Sequence, residues 1–223
     1  MPSEPTRPGL RERQRQETHL LIRRTAVELT LQKGAAAVSV KTICEAAGVS
    51  ARTFFNHFPS KDEALIPDFP PFGAEAEQAF LQGDEPDLVS GLEQLLRSYV
   101  IGLQDAEGEH PVGPLAMKRL LEANPVLLPR LLAIFERFER LIAELVARRT
   151  GRRSDELFCV VAALTATVTL RAAYSTLTHG PAAGDLDRSD RTAVNQHVTA
   201  SIGDAFAVLR ELADPARSHL SPM

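Results

Sequence analysis

The sequence has no tryptophan, two tyrosines and only two cysteines, Cys44 and Cys159, in 223 residues. Two cysteines this far apart, each inside a helix-like apolar pattern, exclude a disulfide framework and read as small core residues, which suits a reducing compartment. Long hydrophobic runs are scarce too. No stretch approaches the ~20 wholly apolar residues that cross a bilayer, and the opening MPSEPTRPGLRERQRQ lacks the apolar segment of a signal peptide. A cytoplasmic protein with no membrane partner is expected. Strand alternation is almost missing while helical periodicity runs along the whole chain, so the expected fold class is all-α.

Catalytic signatures are equally scarce. The six histidines, His19, His57, His110, His179, His197 and His219, are scattered without an H-x₃-H or Cys/His cluster, so no metal site is expected. G-x-S-x-G, Walker and G-x-G-x-x-G patterns are missing. The acidic pairs Asp62-Glu63 and Asp84-Glu85 stand at helix starts, where the helix dipole accounts for them. Neither an enzyme nor a cofactor is expected.

Charge is unevenly placed. The net charge of −4 divides into +3 over residues 1–66, with ten Lys/Arg against seven Asp/Glu, and −7 over the remainder. A basic front end on an acidic body suggests that only the front meets a polyanion. Arg7, Arg11, Arg13 and Arg15 form an arm ahead of the first predicted helix, diluted by Glu12 and Glu17, and it reads equally as a DNA-tracking segment or a solubilising tail.

Apolar periodicity predicts a first helix over 16–33, with Leu20, Leu21, Val27, Leu29 and Leu31 as its apolar residues and Gly34 as its stop. The segment PDFPPF, residues 67–72, is too proline-dense for a helix interior and divides a first domain, 1–66, from a helical body, 67–223. Body helices are predicted over 75–82, 87–104, 114–123, 125–150, 155–179 and 188–212, separated by GDEPD, DAEGEHPVG, NP, TGRRS and GPAAGD. Leu128, Leu131, Phe135, Phe138, Ile142 and Leu145 make one apolar stripe, and Val194, Val198, Ile202, Ala205, Leu209 and Leu212 another. The last two helices are accordingly expected to build a homodimer seam, with Val198 and Ile202 in it.

The informative stretch is SVKTICEAAGVSARTFFNHFPSKDEAL, residues 39–65. Ser39, Ser50 and Ser60 are N-caps for three short helices, and Gly48 supplies the positive-φ bend of a helix-turn-helix. Ile43, Ala47, Val49, Phe54 and Phe58 form its inner face. Ser50, Ala51, Arg52, Thr53, Phe55, Asn56 and His57 then face outward, and Arg52 and Asn56, one turn apart, suit guanine and adenine edges in a major groove. Ser39, Lys41 and Lys61 suit phosphates. An αα-corner with no DNA role is the bland alternative.

The order Gly34, Ser39, Ile43, Ala47-Gly48-Val49-Ser50, Thr53-Phe54-Phe55, His57-Phe58, Ser60-Lys61 and Leu65 resembles the N-terminal DNA-binding domain of the TetR family of bacterial transcription regulators. The resemblance implies a three-helix DNA-binding domain followed by a helical ligand-binding and dimerisation domain. It also implies a dimer on a palindromic double-stranded operator, most often a repressor released by a small molecule. Ser39, Ser50, Thr53, His57 and Lys61 fall where family members commonly touch DNA. Phe55 departs from the pattern, since the family usually has a tyrosine there whose hydroxyl meets a phosphate; an apolar contact with a sugar or thymine methyl is expected instead.

In the body, Tyr99, Met117, Phe135, Phe138 and Thr165 are candidates to line a cavity for an apolar or amphipathic effector, with Thr169 and Arg171 as orienting groups. Plain core is the favoured alternative for each of the first six, and Arg171 equally suits pairing with an acid across an interface. A rival reading is a helical small-molecule-binding protein or enzyme with a vestigial helix-turn-helix, which salt-dependent DNA retention would separate.

Overall fold

The computed structural model describes residues 10–66, 69–83, 87–105, 114–179 and 191–213. Among these residues every regular element is helical, in the order α1 (Leu10–Lys33), α2 (Val40–Ala47), α3 (Ala51–His57), α4 (Lys61–Leu65), α5 (Ala74–Gln82), α6 (Leu88–Asp105), α7 (Pro114–Ala123), a 3₁₀ turn (Pro125–Leu127), α8 (Leu128–Thr150), α9 (Leu157–His179) and α10 (Arg191–Ala213). The all-α expectation holds. Arg7, His110 and His219 lie outside the described residues.

The described residues fall into two compact units, one within 1–68 and 106–132, the other within 69–105 and 133–223. In the first, α1 starts at Leu10, so Arg11, Arg13 and Arg15 are helical residues and not an arm ahead of a helix. Its buried face also differs from the expected one. Ile22, Ala26, Val27 and Thr30 are buried at spacings of four, one and three, whereas Leu21 and Leu31 are exposed. Both α2 and α7 pack on α1, as does the short α4.

Cap chemistry starts each short helix as its sequence dictates. Ser39 Oγ accepts from the Thr42 N–H, Ser50 Oγ from Thr53 and Ser60 Oγ from Glu63. Gly48 ends α2 at φ 66°, a left-handed conformation that strains a residue with a Cβ.

The second unit is built on one apolar cluster drawn from α5, α6, α8, α9 and α10, with Phe72 from the chain ahead of α5. In α9, Cys159, Ala163, Ala166, Leu170, Ala173 and Leu177 face inward at helical spacing, and α10 packs closely over these small side chains. Both cysteines are buried and free. Val198 and Ile202 are fully buried inside this cluster, so they cannot form a seam with another molecule. The stretch Leu157–Leu177 reaches the length and mean hydropathy of a membrane span although no membrane-length run was expected. Its apolarity is divided between the inward face and an outward one, and Arg171 interrupts it.

Candidate nucleic-acid interface

Packing decides which side of α3 is free. Phe54 and Phe58 are fully buried with Ile43, while Ala47 and Val49 are half-buried, which agrees with the expected inner face. Helix α1 holds the end of α3: the His19 ring stacks on Phe58 with centroids 4.2 Å apart, and the Arg23 guanidinium lies 5.2 Å from the same ring. With that face fixed, Ser50, Ala51, Arg52, Phe55 and Asn56 are exposed and Thr53 and His57 half-exposed. Phe55 keeps 55% of its surface accessible. A large exposed phenyl beside an arginine and an asparagine suits a surface that meets a partner.

The candidate phosphate ligands divide. Lys41 is exposed, 3.9 Å from Glu45 on its own helix. Ser39 and Ser50 use their hydroxyls for capping, and Thr53 Oγ1 lies 2.8 Å from Ser50 Oγ. Lys61 is engaged internally, since its Nζ donates to the Ala35 carbonyl at 2.6 Å and the Val38 carbonyl at 2.9 Å. Only its third N–H remains for a phosphate.

The expected effector residues also divide. Tyr99, Phe135 and Phe138 come together with Phe69 and Phe72: Tyr99 and Phe138 lie 5.3 Å apart, and Phe69 sits 5.4 Å from Phe135 and 4.8 Å from Phe138. Arg171 stacks on Phe135 at 5.2 Å. Thr165 and Thr169 donate to the carbonyls of Val161 and Thr165 along their own helix, so their hydroxyl protons are already committed. Met117 lies on α7, within the first unit. The sequence reading missed Phe69, Phe72, His19 and Arg23. The first two stand in the proline-dense segment 67–72, whose composition marks a domain boundary, and the spacing of the other two by four on α1 is the available signal.

A short capped helix that presents an arginine, an asparagine and an aromatic on one face, braced through a glycine turn by a second helix, defines a helix-turn-helix DNA-binding protein. The family model described as "Bacterial regulatory proteins, tetR family" matches residues 22–65, and that described as "MftR C-terminal domain" matches residues 93–200. The chain is 35% identical over 165 residues to the HTH-type transcriptional regulator TcmR of Streptomyces glaucescens, covering 70% of each protein. It is 28% identical over 146 residues to MftR of Mycobacterium tuberculosis (strain ATCC 25618 / H37Rv), by name a mycofactocin biosynthesis transcriptional regulator, covering 65% of this chain and 71% of that protein. A solved TetR-family regulator from Mesorhizobium loti MAFF303099 aligns at 21% identity and a TM-score of 0.40, over 86% of this chain and 96% of that one. The chain belongs to the TetR family of bacterial transcription regulators.

Burial next to cations makes this corner of the first unit acid-sensitive. His19 is held down to about 4 by burial first, then by Arg23, His57 and Arg15; burial and then Arg15 also lower His57. Both folded values lie below the unfolded one near 6.5, so the unfolded chain takes up protons first as pH falls. Stability present above pH 6.5 is therefore lost on the way to pH 4. The full His19 shift corresponds to ~3 kcal/mol, which partial solvent exposure of the ring reduces to about 1 to 2 kcal/mol. Urea unfolding at pH 7 and pH 4.5 should show that loss, and His19→Gln should reduce it; an equal pH dependence in His19→Gln would refute the assignment.

Proposed function

We propose that the protein is a homodimeric, ligand-responsive repressor that reads a palindromic operator through α3 and is released by a small apolar or amphipathic molecule. The observation that carries the reading is the outward face of α3, where Arg52, Phe55 and Asn56 are exposed while Phe54 and Phe58 are buried. DNA binding is assigned to residues 1–66, and sensing and dimerisation to 67–223. The family's transcriptional role argues against an enzyme and for a cytoplasmic protein without a membrane partner. Ser39, Lys41, Ser50, Thr53 and His57 are proposed to flank the base-reading pair, and Lys61 to contribute one N–H to a phosphate.

The dimer seam is proposed on the outward face of α9. Leu157, Val161, Leu164 and Val168 follow one another at helical spacing and are all exposed, Val168 at 58%. A soluble chain rarely leaves such a stripe uncovered. A two-fold dimer fits a palindromic operator, whose half-sites lie on successive turns of DNA, about 34 to 36 Å apart. The effector is proposed to bind at the aromatic group of Tyr99, Phe135 and Phe138, near Arg171. Tyr99 is 4% exposed, and its hydroxyl is buried with no hydrogen-bond partner among the described residues, so it supplies the donor that Thr165 and Thr169 have already committed elsewhere.

Selection of sites from random DNA tests the first assignment. Arg52→Ala or Asn56→Ala should each cost about 1 to 3 kcal/mol and relax preference at particular base pairs, while Lys41→Ala lowers affinity evenly and flattens the salt dependence. Selected-site profiles that match the wild type for both Arg52→Ala and Asn56→Ala would remove this recognition face. For the seam, Leu164→Glu combined with Val168→Glu should yield folded monomers by light scattering and circular dichroism, with operator affinity at least roughly tenfold weaker; intact dimers would exclude it. For the effector, the absence of tryptophan leaves Tyr99 and Tyr174 as the only strong intrinsic fluorophores. A screen of small apolar compounds should find ones that alter this emission and displace the protein from its operator, and Tyr99→Phe should weaken them by about 1 kcal/mol. Undiminished affinity in Tyr99→Phe would take the hydroxyl out of the site.

A further inference from the structure

The Asn-Pro break marks more than the end of a helix. Asn124 leaves the helical region at φ −138° and ψ 71°, as a residue ahead of proline is biased to do. Its side chain is engaged in a way that a break does not require. Asn124 is 5% exposed; its Nδ2 donates to the Leu120 carbonyl at 2.8 Å, and its Oδ1 accepts the N–H of Ala35, which is 89 positions away in sequence. Ala35 lies at the start of the loop between α1 and α2 and is itself buried. Its carbonyl accepts from Lys61 Nζ, and the same ammonium holds the Val38 carbonyl. Both polar groups of one buried backbone residue are thus held by side chains from elsewhere, one at the joint ahead of α8 and one at the first residue of α4.

Ser39, the cap of α2, comes directly after this loop. A displacement of Ala35 therefore reaches the start of α2 within a few residues, and the Gly48 turn and α3 only through α2 as a body. On the other side of the joint, α8 runs unbroken from Leu128 to Thr150 and carries Phe135 and Phe138. We propose that Asn124 is a positioning residue for DNA reading, which transmits the setting of the α7–α8 joint to the helix-turn-helix through the Ala35 peptide. The proposal rests on the DNA-binding reading above. It assigns the regulatory link to a hydrogen bond inside the first unit, with no need for the effector to approach the DNA.

The test compares wild type and Asn124→Ala on an operator duplex selected from random DNA by the wild type and on an unrelated duplex of equal length. A merely structural role lowers the folded fraction and weakens both duplexes alike. Positioning lowers the ratio of operator to unrelated affinity, by at least roughly tenfold, with unrelated DNA bound within about twofold of wild type. A folded Asn124→Ala whose ratio stays within about twofold of wild type overturns the proposal. Hydrogen exchange on the wild type decides independently, even where Asn124→Ala does not fold. Saturating operator should slow exchange at Ala35 and across 120–132 as well as in 39–58, because coupling is reciprocal; slowing confined to 39–58 overturns it. A wild type that selects no sequence brings down the DNA-binding reading, and this inference with it.

Discussion

Burial of two phenylalanines one helical turn apart fixes the direction in which the recognition helix faces. Helix α3 has seven residues, far too few to persist in water by itself, so its existence and its rotation both come from packing. Phe54 and Phe58 go fully inward, each contributing about 1.5 to 3 kcal/mol, and the second is gripped by His19 and Arg23 from α1. Turning α3 by one residue one way would put Thr53 and His57 in their place, and the other way would bury Phe55 while turning Phe54 out. Two polar side chains, or one ring in place of two, forfeit part of that burial. The outward position of Arg52, Phe55 and Asn56 is thus a consequence of core chemistry.

The same principle of facing recurs in α9 with a different outcome. Its inner side is made of alanines, a cysteine and two leucines, which let α10 approach closely, and its outer side carries larger aliphatic groups that the described residues leave uncovered. A helix apolar on two sides needs two neighbours. Helix α10 is one of them, and the second is what the dimer reading supplies. The fully buried positions of Val198 and Ile202 strengthen this division, because α10 directs its own stripe into the protomer and leaves α9 to face outward.

Local chemistry was legible in the sequence, and packing between distant segments was not. The three serine caps, the glycine turn and most helix limits follow from residues within a few positions of one another, and they stand as read. On helix α1 leucines lie on more than one side, so periodicity picks out Val27 but cannot choose Ile22 and Ala26 over Leu21 and Leu31. Val198 and Ile202 failed for the same reason: an apolar stripe states that something covers it, without saying what. Lys61, Thr165 and Thr169 suit ligand work by type, but each also donates to backbone carbonyls, which for Lys61 leaves one N–H free and which no residue type announces. The Asn124 to Ala35 bond spans 89 positions and has no local signature at all.

Energy scales show that a few hydrogen bonds around one loop would be enough for the coupling proposed above. Allosteric coupling between sites is typically ~1 to 3 kcal/mol. A buried hydrogen bond contributes about 0.5 to 1.5 kcal/mol net, and leaving a buried donor without its acceptor costs about 1 to 3 kcal/mol. Ala35 is 3% exposed, so solvent has little access to replace Asn124 Oδ1 if the joint shifts, and the larger penalty applies. Each base contact proposed for Arg52 or Asn56 would likewise supply ~1 to 3 kcal/mol of discrimination. A change of one hydrogen bond at the loop therefore matches a change of one base contact at the operator, and no large rearrangement of the core is required to turn one into the other.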